Sequence, residues 1–187
     1  MSFLLTLLVV VVVIVALFIL LYNGLIAKKN EISNASGMID SVLKKRYDLI
    51  PNLVAMVQEY MDYEKETLVN VTQLRSDALN ANNVKDKLDI NEKISSAIKS
   101  IVVSAEEYPE LQASENMLQL QQALAETEGQ LSAARRTYNQ AVTNFNNACE
   151  QIPSNFVAQM LRYEKQAVLK TPETERVNVN VKEMFKK

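Results

Sequence analysis

The sequence predicts an all-α chain: a single N-terminal transmembrane helix, then an antiparallel up-and-down four-helix bundle with a short C-terminal helix and a tail. Three observations predict it. From Phe3 to Leu21, nineteen residues pass with Thr6 as the sole polar side chain. Three glycines and four prolines in 187 residues leave few of the sharp turns that an all-β or α/β fold needs. Beyond the apolar run, hydrophobic side chains recur at spacings of three and four in four successive stretches, each the stripe of an amphipathic helix. The expected division is an anchor at 1–22, a helical bundle domain at 23–170 and a C-terminal tail at 171–187.

At about 1.5 Å per residue, the run from Phe3 to Leu21 matches a hydrocarbon layer roughly 30 Å thick. The β-branched stretch Val9 to Val15 is a weak helix former in water, but in lipid every backbone group must be satisfied within the segment, which imposes a helix. A cleaved signal peptide is the competing reading. Against it, no basic side chain precedes the run, the run exceeds the usual apolar core of about 7–15 residues, and Ala27 lacks a small residue two positions earlier. Tyr22 falls where an interfacial aromatic belongs, and Lys28 and Lys29 follow. The positive-inside tendency then places the C-terminal domain in the cytoplasm. Only two lysines carry that inference and Glu31 sits beside them, so the periplasmic orientation stays open. Between Leu21 and Ile32 only Gly24 interrupts, so the anchor is expected to run straight into the first bundle helix; a hinge at Tyr22–Gly24 is the alternative.

The first bundle stripe is Ile32, Ala35, Ile39, Val42 and Leu43, with Gly37 a weak point costing about 1 kcal/mol relative to alanine. Pro51 biases Ile50 away from helix, so a turn is expected near residues 47–51, with Pro51 opening the next helix. The second stripe, Leu53, Val54, Val57, Met61, Leu68, Val71, Leu74 and Ala78, predicts one helix of about eight turns. Asn80 to Asn83 read as a loop. A third helix follows on Leu88, Ile94, Ile98, Ile101 and Ala105 and stops at Tyr108-Pro109. Ser114 is a plausible N-cap for the fourth, whose stripe of Met117, Leu120, Leu124, Leu131, Tyr138, Val142, Phe145 and Cys149 approaches a heptad pattern. Pro153 closes that helix, and Phe156, Met160, Leu161, Ala167 and Val168 predict a short final one. Residues 176–182 alternate with period two, a short strand if an edge partner exists and a disordered tail otherwise.

The chain has no histidine and one cysteine, which removes histidine-based triads and the usual zinc, copper and haem ligands, and excludes a disulfide-stapled domain. Cys149 is read as a small apolar residue at a helical core spacing. The formal charge of −2 argues against nucleic acid as a partner. No glycine-rich phosphate loop, nucleophile elbow or kinase signature is present. Catalytic, cofactor-binding and metal-ligating residues are therefore all expected to be none. Glu64, Glu128 and Arg135 fall in the core register, which allows either a buried Glu–Arg pair between facing helices or long side chains at the stripe's edge reaching water. Glu106, Glu107, Glu110 and Glu115 surround the third loop, a weak cation site or a solvated acidic loop. An up-and-down bundle brings the first and third loops together, so Lys44, Lys45 and Arg46 are expected beside those glutamates.

Several blocks resemble the LemA family: 45–54 with its Arg46-Tyr47-Asp48-Leu49-Ile50-Pro51 core, 63–68, 105–111, 114–116, 124–128, 134–139 and 152–155. With the anchor and Tyr22-Asn23-Gly24-Leu25, the resemblance reaches about residue 165, and the tail fits less well. It implies a single-pass bacterial inner-membrane protein with a helical-bundle domain and no assigned enzymatic activity, and it supplies no site residues. The expected function is a non-enzymatic membrane-anchored scaffold or adaptor that self-associates or docks envelope proteins. Its expected partners are the bilayer through Phe3 to Leu21, further copies of the chain and other membrane proteins. The alternative is a membrane-tethered sensing or binding module for a small ligand or cation.

Overall fold

The structure, a computed structural model, describes residues 2–60 and 65–170. Glu64, the segment 176–182 and the rest of the tail at 171–187 lie outside the described residues.

Helix α1, Ser2–Tyr60, is unbroken across 59 residues. Its first part is long and apolar enough to cross a membrane, and among the described residues nothing else covers that part. The side chains from Phe3 to Leu20 are exposed, whereas burial starts at Leu25 and recurs at Ile32, Ala35, Ile39 and Leu43. The expected turn at 47–51 does not exist: Pro51 lies inside α1. A proline there has no N–H for the carbonyl four residues earlier, that of Tyr47, and ordinarily breaks a helix for that reason. Here the Tyr47 oxygen instead accepts a hydrogen bond from Arg75 Nε at 2.9 Å. Ile50, Leu53 and Val57 are buried around the proline, so packing holds the helical path.

The single helix of eight turns expected from the second stripe is also divided. Leu53, Val54 and Val57 belong to α1, whereas Leu68, Val71, Leu74 and Ala78 belong to α2, Lys65–Asn80. Arg75 touches Tyr47, which one straight helix would hold about 42 Å away, so α2 is folded back onto α1. Asn83 caps α3, Val84–Ser104, by accepting from the Asp86 amide at 2.8 Å, and Leu88, Ile94, Ile98 and Ile101 are buried as the stripe predicts. A 3₁₀ turn at Ala105–Glu107 and a one-turn helix α4, Pro109–Gln112, follow. Ser114 caps α5, Glu115–Glu150, its Oγ accepting from the Met117 amide at 3.2 Å.

Helices α1 and α5 share the largest interface. Leu25 clusters with Ala148 and Cys149, Ile32 with Val142, and Arg46 binds Glu128. Steps of seven or fourteen residues up α1 thus match equal steps down α5, a heptad seam. Helices α2, α3 and α4 complete one core with residues 39–57 of α1 and 117–134 of α5.

The last helix differs from expectation. Helix α6, Ser154–Met160, buries Val157 and Ala158, not Phe156 and Met160. Ala167 and Val168 are not helical: from Tyr163 to Lys170 the chain is a non-helical strap along α5. The helix ends in a Schellman motif, in which the Arg162 amide donates to the Gln159 carbonyl and the Tyr163 amide to the Ala158 carbonyl, both at 3.0 Å. Arg162 occupies the left-handed position at φ 54°.

Candidate functional site

The α1–α5 seam carries the charged residues singled out by sequence. Arg46 is 5% exposed and donates from Nη1 to Glu128 Oε2, while Glu128 remains half in water. Arg135, two turns along α5 from Glu128, is buried too, and it has no hydrogen bond or ion pair among the described residues. The pair that forms, Arg46 with Glu128, is not one the core register singled out, and a Glu64–Arg135 pair lies outside the described residues. Neighbouring Tyr47 is buried, and desolvation pushes its hydroxyl up to about 12; the charge of Arg46 opposes the shift and that of Asp40 adds to it. Asp40 itself binds Lys87 Nζ of α3 at 2.8 Å.

The cross-loop attraction expected for Lys44, Lys45 and Arg46 is not formed. These residues lie inside α1, at least fourteen positions before its end at Tyr60, or about 21 Å along the axis. Among the described residues no ion pair joins them to Glu106, Glu107, Glu110 or Glu115. Those glutamates also belong to no group of three or more cation-ligating side chains among the described residues. Cys149 is a half-buried free thiol, pushed up first by desolvation and then by the charge of Glu150.

The two flanks of the seam differ. On one, α5 holds the strap through two asparagine side chains. Asn139 Nδ2 donates to the Leu169 carbonyl at 2.9 Å while its Oδ1 accepts from the Leu169 amide at 2.7 Å. Asn146 makes the same two-way pairing with Gln166, both bonds at 2.9 Å. Seven helical residues advance about 10.5 Å and three extended residues about 10 Å, so the two clamps fall in step. Phe145 packs on Tyr163 with ring centroids 5.6 Å apart, Lys29 Nζ lies 4.9 Å from that ring's centroid, and Lys165 pairs with Glu150. Sequence reading missed the strap because asparagine at heptad spacing carries no apolar signal.

On the other flank a shallow groove stays open. Ala35 and Ala141 belong to its floor, Met38 stands half exposed at its side, and Glu31 and Arg136 set opposite charges along it. Thr137, Gln140 and Asn144 line the α5 side. At 100° per residue these three point well away from Asn139 and Asn146, so strap and groove occupy opposite sides of one helix. The groove has small side chains at its base and hydrogen-bonding groups at its edge.

A sequence profile of the LemA family matches residues 35–182. Protein LemA of Metamycoplasma hominis is 32% identical over 163 residues, covering 87% of this chain and 74% of that protein.

Proposed function

The chain belongs to the LemA family, and for this member we propose a non-enzymatic role as a membrane-anchored helical scaffold that self-associates or docks envelope proteins. The apolar part of α1 is its anchor in the bacterial inner membrane, with the bundle on the cytoplasmic side following Lys28 and Lys29. The distal part of α1 with α2, α3 and α5 is the four-helix up-and-down arrangement, supported by the opposed order of contacts along α1 and α5 and by the return of α2 onto α1. The observation that carries the proposal is the open α1–α5 groove, built on the same rigid helix that bears the apolar run. Its half-exposed Met38 and its Arg136 are residue types that interface cores favour, and polar side chains rim it.

The test places a cross-linkable thiol in the groove through Met38→Cys in a Cys149→Ala background, using the full chain in native membranes. Adducts to a second copy or to a defined set of membrane proteins are expected, with an oligomer seen by light scattering on the solubilised chain. A monomer that forms no adducts would sink the scaffold reading. A thiol introduced at Lys187 and labelled in intact cells reports the orientation.

A further inference from the structure

Beyond the apolar run, three large apolar side chains near one another in sequence are strongly exposed among the described residues. Ile152, Phe156 and Met160, spaced by four residues, are 78%, 66% and 61% exposed. Other exposed apolar residues of the soluble part, such as Val69, Val103 and Leu118, are scattered over separate helices. Helix α6 is fixed by Val157 and Ala158, which cluster with Leu25 and the half-buried Leu21. Leu21 is the last residue of the apolar run, and Leu25 lies only about 6 Å further along the axis. The interfacial layer of a bilayer is itself about 5–8 Å deep on each side. Held against Leu21 and Leu25 through Val157 and Ala158, α6 puts these side chains close to headgroup depth whenever α1 spans, with the exposed Arg162 two residues beyond Met160.

We propose that Ile152, Phe156 and Met160 form a second membrane contact, inserting into the interfacial layer of the same bilayer that α1 crosses. The proposal rests on the anchoring reading. A seven-residue helix binds lipid weakly by itself. Tethered through Leu21 and Leu25 it never leaves the surface, so insertion is an intramolecular step at high effective concentration and a weak affinity suffices. Burying Phe156 and Met160 in lipid also accounts for the choice of the smaller Val157 and Ala158 as the inward face. The contact fixes the rotation of the bundle about the anchor axis, which a single spanning helix leaves free.

The chain has no tryptophan, so a single introduced indole reports its own surroundings. Full-length Phe156→Trp, Leu8→Trp and Val103→Trp chains are reconstituted in phosphatidylcholine and phosphatidylglycerol vesicles with brominated or ordinary acyl chains. The expected result is quenching by brominated lipid in the Leu8→Trp and Phe156→Trp chains and none in the Val103→Trp chain. Quenching in Leu8→Trp alone overturns the second contact and leaves the anchor standing. A blue-shifted yet unquenched Phe156→Trp emission overturns it in favour of a protein partner. No quenching in Leu8→Trp removes the anchor, and the contact with it. A Met160→Trp chain repeats the measurement at a second position should Phe156→Trp lower the helical content.

Discussion

Arg75 Nε donates to the Tyr47 carbonyl at 2.9 Å, and this bond occupies the acceptor that Pro51 leaves without its helical N–H. The two residues are coupled through a group belonging to neither. Arg75→Ala should cost about 1–3 kcal/mol, the penalty of an unsatisfied buried acceptor. Pro51→Ala should stabilise by roughly 1–3 kcal/mol. In the Pro51→Ala background the arginine should matter less, because the restored N–H serves the same carbonyl. A double-mutant cycle from chemical unfolding checks this, and strict additivity would remove the account.

The strap should detach locally. Asn139→Ala removes both bonds to Leu169 and should cost about 1 kcal/mol, while the more exposed Asn146→Ala costs less. Hydrogen exchange at the Gln166 and Leu169 amides should accelerate in the respective variants, with the α3 amides unchanged. Uniform acceleration throughout the bundle would contradict a local clamp.

Glu128→Gln removes the counter-charge of a buried cation. With Glu128 half exposed, a loss of about 2 kcal/mol is expected, less than for a fully buried pair. Replacing both partners, Arg46→Met with Glu128→Leu, should recover most of that loss. Thermal unfolding of the two variants beside the native chain decides it.

Alkaline pH should weaken the fold through Tyr47. Its hydroxyl titrates at about 12 in the folded chain against 10 when unfolded, so the folded state holds the proton longer. Stability from this group is complete below pH 10 and is lost as pH rises towards 12, by about 2 kcal/mol. Unfolding midpoints measured from pH 9 to 12 should fall more steeply for the native chain than for Tyr47→Phe, which has nothing to ionise.

Backbone preference is reversed at two kinds of position. Gly37 and Gly129 lie inside helices with open space where a Cβ would be, whereas Arg162 holds the left-handed position that ends α6. Gly37→Ala and Gly129→Ala should each stabilise by up to about 1 kcal/mol, and Arg162→Gly by about 1 kcal/mol. Melting temperatures that fall in all three would refute the reading.

Spacing disclosed the helical class, the Ser114 cap and the inner faces of α3 and α5, because each is set by periodicity or by a bond reaching three residues; Asn83 was legible only as part of a loop, not as the cap of α3. It did not disclose the continuity of α1, since local sequence at Pro51 argues for a break and the compensating donor, Arg75, is 28 residues away. The partner of Glu128 was missed for the same reason: the break expected at Pro51 put Arg46 in a loop beside Glu106 to Glu115, and only the α1–α5 register brings it to Glu128. In α6 the rule that the bulkiest apolar residues face inward failed at Phe156 and Met160, and the buried pair is the smaller Val157 and Ala158.

A helix without a joint behaves as a lever. From Leu21 to Tyr60, α1 extends about 58 Å, so a tilt of about 20° at the bilayer, ordinary for a spanning helix, would carry its far end sideways by roughly 20 Å. Changes in bilayer thickness that alter tilt by a few degrees would then appear at α2 and α4 as displacements of several ångströms, magnified by the length of the arm.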